Sequence, residues 1–340
     1  MATLDVYYHP AFLRHETGEH PESKQRLIVA VEALQESDLG FQWVTPGPAT
    51  PEAVAKIHDA SYIDIVREVA ETGGGWLDGD TAISPDSYQA AMLAAGAGIA
   101  GVEKALDAGG PSFMLVRPPG HHARAAKGMG FCLFNNIAIA AAHAVEELGL
   151  DRILIVDWDV HHGNGTNEAF YDDPRVLFFS VHESPHYPGT GMATDIGTGE
   201  GAGFSMNVPV RAGSGDGVLV AAFESLLLPV ATEFQPQLVL ISAGFDGQAS
   251  DPLGDLRYSE RSFQWMGARL LALSKDCGAP PPVGFLEGGY LPKMMSNSLV
   301  AALGGMSGRE PNFEAVVTSS EEADVERAIE ALRPYWKGVL

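Results

Sequence analysis

The chain has 340 residues, of which 46% are hydrophobic and 19% are charged, so a large folded core is expected rather than disorder. The formal net charge of -23 disfavours non-specific binding to phosphate backbones, and no nucleic-acid partner is expected. The two cysteines, Cys132 and Cys277, form no CxxC pair, so neither a disulfide framework nor a thiolate zinc site is indicated.

The sequence does not begin with a basic stretch followed by an apolar run, which a secretory signal peptide would show. The longest run of low polarity that we find, residues 90–102, is too short to span a bilayer. We therefore expect a cytoplasmic protein without a membrane partner. The composition leaves the oligomeric state open, a homo-oligomer included.

In chain order, apolar β-branched runs alternate with helical patterns, which predicts a parallel sheet with helices on both faces. Asn135 or Asn136 is expected to cap the third helix. No repeat, linker or composition change divides the chain, so residues 1–340 are expected to form one domain. The predicted strands are 113–116, 153–156, 176–181, 238–242 and 283–286, and the predicted helices are 51–71, 87–107, 136–148, 217–233 and 262–275.

Each predicted strand is followed by a polar or glycine-rich segment. Parallel strands present their carboxyl ends at one edge of a sheet, where binding sites form, so these segments are expected to converge on one crevice. The segments are residues 117–122, 157–162, His182, residues 244–246 and residues 287–290.

The densest motif is DWDVHHGNG, which begins at Asp157. Alternate positions of an extended segment share one face, so Asp157, Asp159 and His161 are expected to point the same way. A carboxylate and an imidazole two residues apart offer oxygen and nitrogen ligands suited to zinc. The alternative for such aspartates, taken singly, is a helix cap.

A catalytic zinc site needs a third protein ligand. Asp246, which ends the segment SAGFD, is the best candidate, and Gly244 is expected to permit an unusual backbone turn before it. A helix cap is again the alternative for Asp246 alone.

Two further segments offer acid–base and electrophilic groups. His121 and His122 follow a stiff Pro-Pro-Gly turn, which would hold a histidine pair for proton transfer. In GMGFCLFNN, Phe131 could wall an apolar channel. In EGGY, two glycines would let the Tyr290 phenol reach an oxyanion. Each has a structural alternative. The histidine pair could lie on a surface turn, Phe131 could belong to the core, and EGGY could be an ordinary tight turn.

The ordered segments RPPGHHA, GFCLFNN, DWDVHHGNGT, SAGFD and EGGY resemble the signatures of the histone deacetylase and acetylpolyamine amidohydrolase superfamily, as does the chain from His20 through Tyr290. The resemblance implies the arginase–deacetylase fold, which is a single α/β domain with a central parallel sheet of about eight strands. It also implies zinc-dependent removal of acetyl groups from amine nitrogens.

The resemblance assigns catalytic roles by position. His121 and His122 match the tandem catalytic pair, with His122 as general base, and Tyr290 matches the tyrosine that polarises the acetyl carbonyl. Asp157 matches the aspartate that orients His121. Asn164 stands where class I members carry Asp, and it should raise the pKa of His122 less than Asp would. The zinc ligands implied are Asp159, His161 and Asp246.

The resemblance also implies ions and a substrate tunnel. A structural potassium ion would take the side chains of Asp157 and Ser180 and the backbone oxygens of Asp159, His161 and Val181. A second monovalent site would use backbone oxygens around Phe170, Asp173 and Val176. Arg26 resembles the arginine of an acetate exit cavity. The substrate-binding set comprises the aromatic walls Phe131 and Tyr187 together with Gly130, Leu253, Gly288 and Gly289.

Alternatives to acetyl-lysine chemistry stay open. Polyamine-selective members can place a Glu where this chain has Leu253, so an acetylated lysine peptide or a small N-acetylated amine is favoured over a polyamine. Acidic side chains at Glu22, Asp80 or Glu183 would offset this preference if they reached the tunnel rim. A manganese ureohydrolase and a non-catalytic acyl-lysine binder are more remote, and Fe(II) or Co(II) would also suit the ligand set.

Overall fold

The computed structural model describes residues 3–107 and 109–340, and its frame is a sheet of eight parallel strands. The strands are β1 (Leu4–Tyr7), β2 (Phe41–Val44), β5 (Ser112–Met114), β6 (Ile153–Asp157), β7 (Val176–Glu183), β8 (Ser205–Val210), β9 (Leu238–Ala243) and β10 (Val283–Leu286). Their order is β2-β1-β5-β10-β9-β6-β7-β8. A separate antiparallel hairpin pairs β3 (Gly75–Trp76) with β4 (Ala82–Ile83).

Every residue of β5 to β10 in the large sheet is buried, whereas β2 at the edge is partly exposed. Successive side chains of a strand point to opposite faces, so continuous burial means that both faces of the sheet are covered. This explains the apolar runs from which five of the strands were predicted. The α/β architecture with a parallel sheet of about eight strands is confirmed.

Two groups of helices cover the sheet. The helices are α1 (Gln25–Glu36), α2 (Pro51–Val54), α3 (Ala60–Glu71), α4 (Ser87–Leu106), α5 (Asn136–Glu146), α6 (Asn164–Ala169), α7 (Asp216–Ala222), α8 (Leu228–Phe234), α9 (Glu260–Asp276), α10 (Pro292–Met306) and α11 (Ser319–Leu332). In one group α10 packs between α1 and α9, and in the other α4 packs on α5. Asn135 caps α5 by accepting the Ala138 N–H at 3.1 Å.

The predicted helix 51–71 is wrong in one respect, because the structure breaks it between Val54 and Ala60. In the intervening turn, the Asp59 N–H donates to the Ala125 carbonyl at 2.8 Å, and His58 bonds the Arg124 carbonyl at 2.9 Å. These bonds to a distant segment replace helical hydrogen bonds, and no local pattern announces them.

Strands β1, β2 and β8 were not predicted from the sequence. The first two are four residues long, and β8 buries polar residues, including Asn207. The Asn207 amide donates to Asn167 Oδ1 and to the Asp195 carbonyl, both at 2.8 Å. A strand that buries such a polar side chain does not look apolar in the sequence.

Among the described residues, one helical stretch, Asp216–Phe234, is long and apolar enough to cross a membrane by those two criteria. It comprises α7, a π-helical turn (Phe223–Leu227) and α8, and 56% of the window is buried inside the protein. It is longer than residues 90–102, the run of low polarity noted in the sequence. A core helix passes the same test, so the finding is weak support for a membrane span.

Candidate active site

The five strands that precede the polar segments are neighbours in the sheet, in the order β5, β10, β9, β6, β7. Since all are parallel, the segments after them open on one edge. Residues far apart in sequence therefore meet there. For example, the backbone N–H of His121 donates to Glu287 Oε2 at 3.1 Å.

Three buried side chains, Asp159, His161 and Asp246, each bring one donor atom to within 4.8 Å of the other two. His161 Nδ1 lies 3.0 Å from Asp159 Oδ1 and 3.3 Å from Asp246 Oδ2. Burial alone would lower the pKa of His161, but the two carboxylates raise it to about 10. The structure thus brings the residue predicted as third ligand to the other two.

The geometry around Asp246 fits a cation. Its Oδ2 is buried and has no hydrogen-bond partner in the described part of the chain, whereas Oδ1 accepts the Val160 N–H at 2.8 Å. The close polar neighbour of Oδ2 is His161 Nδ1 at 3.3 Å, and a cation bound between the two side chains would offset the cost of burying this oxygen without a hydrogen bond. Two carboxylates and an imidazole are the donor set of a divalent-metal site such as zinc.

Two glycines allow this close grouping. A Cβ at Gly244 would collide with the Asp159 carboxylate, and a Cβ at Gly288 would collide with Asp246 Oδ2. Gly244 was expected to permit an unusual backbone turn, but its φ is not in the left-handed region. A side chain is excluded at this position because the Asp159 carboxylate lies too close to it. The Gly288 N–H in turn donates to Asp159 Oδ2 at 2.8 Å.

The histidine pair lies beside this triad, and its two members have different partners. His121 Nδ1 lies 3.0 Å from Asp157 Oδ2, and His122 Nδ1 lies 2.7 Å from Asn164 Oδ1. Burial opposes a charge on both rings, but Asp157 and Asp159 raise the pKa of His121 to about 10. Burial and the nearby His121 and His161 hold the pKa of His122 well below 6.5. The pair therefore joins a proton donor to a neutral base.

Tyr290 is held by a residue that the sequence analysis did not assign. Asp251 Oδ2 accepts the backbone N–H groups of Tyr290 at 2.6 Å and Leu291 at 3.3 Å. Burial raises the pKa of the Tyr290 phenol well above 10, so the hydroxyl keeps its proton. Gly289 has a φ of 117°, which suits glycine. The Asp-Pro pair at 251–252 is a turn signal that could have drawn attention to Asp251.

Beneath Tyr290 lies a buried charge cluster. The Arg26 guanidinium stacks 5.0 Å from the Tyr290 ring centroid and donates from Nε to the Gly289 carbonyl at 2.7 Å. Glu22 Oε1 lies 3.2 Å from Arg26 Nη1 and 2.5 Å from Arg117 Nε. Burial opposes the charge of Glu22, but the arginines lower its pKa to about 2. Glu22 is thus a partner of these arginines and does not reach the rim.

Glu287 supports the histidine loop from the neighbouring strand. Its Oε2 accepts the N–H groups of Gly120 at 2.7 Å and His121 at 3.1 Å. Burial raises the pKa of this carboxyl to about 7. The sequence placed Glu287 only as the start of EGGY, because no local feature shows that it reaches the loop after β5.

Aromatic rings line the approach to the triad. The Phe131 and Tyr290 ring centroids lie 5.7 Å apart, and Tyr187, which is 38% exposed, meets the His122 ring edge-on at 5.2 Å. A Cβ at Gly130 would collide with His122. Phe131 itself has a φ of 69°, which is uncommon for a residue other than glycine.

The wall near Leu253 includes a histidine that the sequence analysis missed. The His186 ring stacks on His161 with centroids 4.9 Å apart, and its Nε2 donates to the Leu253 carbonyl at 2.8 Å. Leu253 is half-buried. Glu183 does not reach the rim, because it is buried and accepts the Asp255 N–H at 2.8 Å.

Asp80 is the acidic residue that stays close to the entrance. It is half-buried, as is Asp78. Burial is the main cause of the raised pKa of Tyr187, followed by Cys132 and then by Asp80 and Asp78. The Asp80 carbonyl accepts from His20 Nε2 at 3.1 Å, and the His20 ring lies 4.5 Å from Phe131. This loop therefore borders the aromatic wall.

The residues assigned to potassium also lie together. Asp157 and Ser180 are paired in register between β6 and β7, and Ser180 Oγ lies 2.9 Å from His182 Nδ1. Val181 is the next residue of β7, and Asp159 and His161 follow β6. The second predicted set forms one turn, in which N–H groups donate from residue to residue. The Asp173 N–H donates to the Phe170 carbonyl at 3.2 Å, and the Val176 N–H donates to the Asp173 carbonyl at 3.3 Å.

The chain is similar to known proteins over most of its length. The histone deacetylase domain matches residues 20–306. A probable deacetylase of Methanothermobacter thermautotrophicus is 39% identical over 307 residues, covering 90% of this chain and 91% of that protein. Human polyamine deacetylase HDAC10 is 35% identical over 361 residues, covering 100% of this chain and 53% of that protein. The crystal structure of the HDA15 HD domain has a TM-score of 0.92 at 32% identity and covers 99% of this chain and 96% of that chain.

The matched region contains all five strand-end segments, and the structural likeness extends over the whole sheet. Sequence and structure thus point to the same group of proteins, in which the named relatives are deacetylases. The chain belongs to the histone deacetylase family.

Proposed function

We propose that this protein is a zinc-dependent amidohydrolase that removes acetyl groups from acetyl-lysine side chains or similar small N-acyl amines. The observation that carries the proposal is the buried Asp159–His161–Asp246 triad, in which Asp246 Oδ2 accepts no hydrogen bond from the described residues, beside a histidine pair with unlike partners. A family relative that only bound acyl-lysine would need neither feature.

Asp159, His161 and Asp246 would hold the divalent cation, and their donor set also suits Fe(II) or Co(II). A cation there supplies Lewis acidity, which polarises an amide carbonyl and acidifies water. A manganese ureohydrolase is disfavoured because the group that the described residues form here offers three donors, of which only two are carboxylates.

The chain's own residues then move the protons. His122 Nδ1 lies 2.7 Å from Asn164 Oδ1, an acceptor that favours the neutral ring with its proton on Nδ1. Nε2 would then carry the lone pair that takes a proton from the attacking water. A bond forms between the water oxygen and the acetyl carbon, and the Tyr290 hydroxyl donates to the resulting oxyanion. His121, held by Asp157, protonates the amine as the C–N bond breaks, and acetate is released.

Arg26 was assigned to acetate release by resemblance, and this role stays a prediction. Its guanidinium is fully buried and already donates to the backbone of Gly289 and Glu287 and to the Glu22 carboxylate. These bonds support a role in holding the EGGY segment. We further propose a structural potassium ion at Asp157 and Ser180, and a cytoplasmic location.

For the substrate we favour acetyl-lysine, because Leu253 presents an aliphatic side chain that the lysine stem can contact. A cationic polyamine would have to bury an ammonium group, which is costly without a paired charge. The second candidate is an acetylpolyamine, because the loop that carries Asp80 contacts the aromatic wall at Phe131 through His20. Charges more than about 8–10 Å from the entrance would be screened at ordinary salt.

The metal proposal is tested by measuring bound metal and turnover together. Purified protein should bind one divalent ion per chain at the triad, and Asp246→Ala should lose that ion and its activity. A full complement of metal in the variant would show that the ligand assignment is wrong.

The substrate proposal is tested by comparing kcat/KM for an acetyl-lysine peptide, N-acetylputrescine and N8-acetylspermidine. The peptide should be the best substrate, and Leu253→Glu should move the ratio toward the polyamines. A tenfold advantage for either polyamine in the unaltered enzyme would overturn the preference. No turnover of any of the three, with metal bound, would contradict the deacetylase proposal itself.

A further inference from the structure

A second group of possible metal donors lies next to the triad and shares no residue with it. His121, Cys132 and Glu287 are all buried, and one donor atom from each lies within 4.8 Å of the other two. They come from three separate segments: the loop after β5, the segment that precedes α5, and the end of β10. The fold therefore gathers sulfur, nitrogen and oxygen donors at one point.

Each donor retains capacity for a ligand. The Cys132 thiol donates one hydrogen bond, to the Gly130 carbonyl at 3.3 Å, and the thiolate that a cation would bind gives that bond up. Glu287 uses Oε2 for two backbone N–H groups, whereas Oε1 has a 3.4 Å contact with the Ser242 hydroxyl. His121 uses Nδ1 for Asp157, whereas its Nε2 lies 3.8 Å from Asp159 Oδ1 and makes no hydrogen bond with the described residues.

The chemistry of this group differs from that of the triad. Thiolate with imidazole is a soft donor set that selects Zn(II) and similar thiophilic cations, whereas the triad offers two carboxylates and an imidazole. Two divalent cations can occupy neighbouring positions in proteins about 3.5–4 Å apart when carboxylates lie around them. Asp157, Asp159 and Glu287 supply that negative charge here.

We propose that His121, Cys132 and Glu287 form a second metal site, selective for thiophilic divalent cations, whose occupation inhibits the enzyme. Binding releases the Cys132 thiol proton and the His121 Nε2 proton to solvent, and joins the thiolate and the imidazole nitrogen to the cation. A cation on His121 Nε2 removes the nitrogen that must carry a proton to the leaving amine. The inhibition rests on the deacetylase function proposed above, but the existence of the site does not.

Cobalt titration of the metal-free full-length protein tests the site without turnover. The triad contains no sulfur, so the first equivalent of Co(II) should give visible d–d bands alone. The second equivalent should add a near-ultraviolet thiolate-to-cobalt charge-transfer band. Cys132→Ser should lose this band, and Cys277→Ser, the matched control at the other cysteine, should keep it.

The outcomes are decisive in the unaltered protein. Absence of a charge-transfer band at two equivalents, with metal analysis showing one bound ion, would overturn the proposal even if Cys132→Ser failed to fold. Persistence of the band in a folded Cys132→Ser variant would assign it to another sulfur and would also overturn it.

Inhibition is measured by assaying deacetylation in buffered Zn(II) above one equivalent, with each variant normalised to its own activity at one equivalent. The inhibitory zinc concentration should rise at least tenfold in Cys132→Ser and stay unchanged in Cys277→Ser. Equal inhibition of both variants would show that excess zinc acts elsewhere. If the unaltered enzyme has no deacetylase activity but keeps the cobalt bands, the proposed function fails and the metal site stands.

Discussion

Asp251 Oδ2 accepts a hydrogen bond from the backbone N–H of Tyr290, with a nitrogen–oxygen distance of 2.6 Å. The other carboxylate oxygen accepts the Leu253 N–H at 3.0 Å, so one side chain ties the EGGY loop to the segment that carries the rim leucine. The position of the phenol therefore depends on a residue that touches no reacting atom.

The substitution Asp251→Asn should lower kcat and leave metal binding intact. Both carboxylate oxygens of Asp251 accept backbone N–H groups. An asparagine has only one side-chain oxygen, so its NH2 group would face one of these N–H donors and that hydrogen bond would be lost. Losing a hydrogen bond to a charged group costs about 1.5–3 kcal/mol, which corresponds to roughly a tenfold to hundredfold effect if it is expressed in the transition state. Steady-state kinetics beside metal analysis check this. An unchanged kcat would remove Asp251 from the positioning of Tyr290.

The substitution Tyr290→Phe should keep the metal and lose most turnover. Removing one donor to an oxyanion costs on the order of 10²–10³ in rate. The loss should fall on kcat, because the donor acts when charge develops on the carbonyl oxygen. If KM alone rose, Tyr290 would be a wall of the tunnel and not a participant in the reaction.

The substitution Asn164→Asp should move the acid limb of the kcat/KM profile to higher pH. His122 must be neutral to accept a proton, and burial together with His121 and His161 holds its pKa low. A carboxylate at 2.7 Å from Nδ1 would favour the imidazolium and raise that pKa by about one unit or more. Asn164→Ser, which adds no charge, serves as the control. A profile that stayed in place in the Asp variant would rule out His122 as the base.

The substitution Glu22→Gln should destabilise the fold. It removes the buried charge that faces Arg26 and Arg117, and breaking a buried pair in this way costs about 3–5 kcal/mol. Urea unfolding of metal-loaded protein at neutral pH measures the change. Glu16→Gln, at an exposed pair with Lys24, is the control and should cost little.

The pH dependence of this contribution has a definite sign. The pKa of Glu22 is lowered on folding from 4.5 to about 2, so its stabilisation is present above pH 4.5 and is lost as the pH falls toward 2. The difference in unfolding free energy between the unaltered protein and Glu22→Gln should shrink across that range. A difference that did not depend on pH would mean that shape, not charge, is what Glu22 contributes.

The sequence by itself determined the central strands and the place of the site. Apolar runs ended at His- and Asp-rich segments, and a buried parallel strand must be apolar on both faces while its end can be polar. Asp159, His161, Asp246 and the histidine pair could be named because each lies directly after such a run. The motifs also resembled those of the histone deacetylase family, and the comparisons confirm that the chain belongs to it.

Only the tertiary structure decided which distant residues complete that site. The break after Val54 and the roles of Asp251 and His186 depend on partners that no local pattern specifies. The same holds for the pairing of Glu22 with Arg117 and for the meeting of Cys132 with Glu287. A local sequence pattern indicates whether a side chain is buried. A buried polar group, however, is stabilised by a particular hydrogen-bond or charge partner. Which residue becomes that partner depends on how the whole sheet packs with its helices and loops.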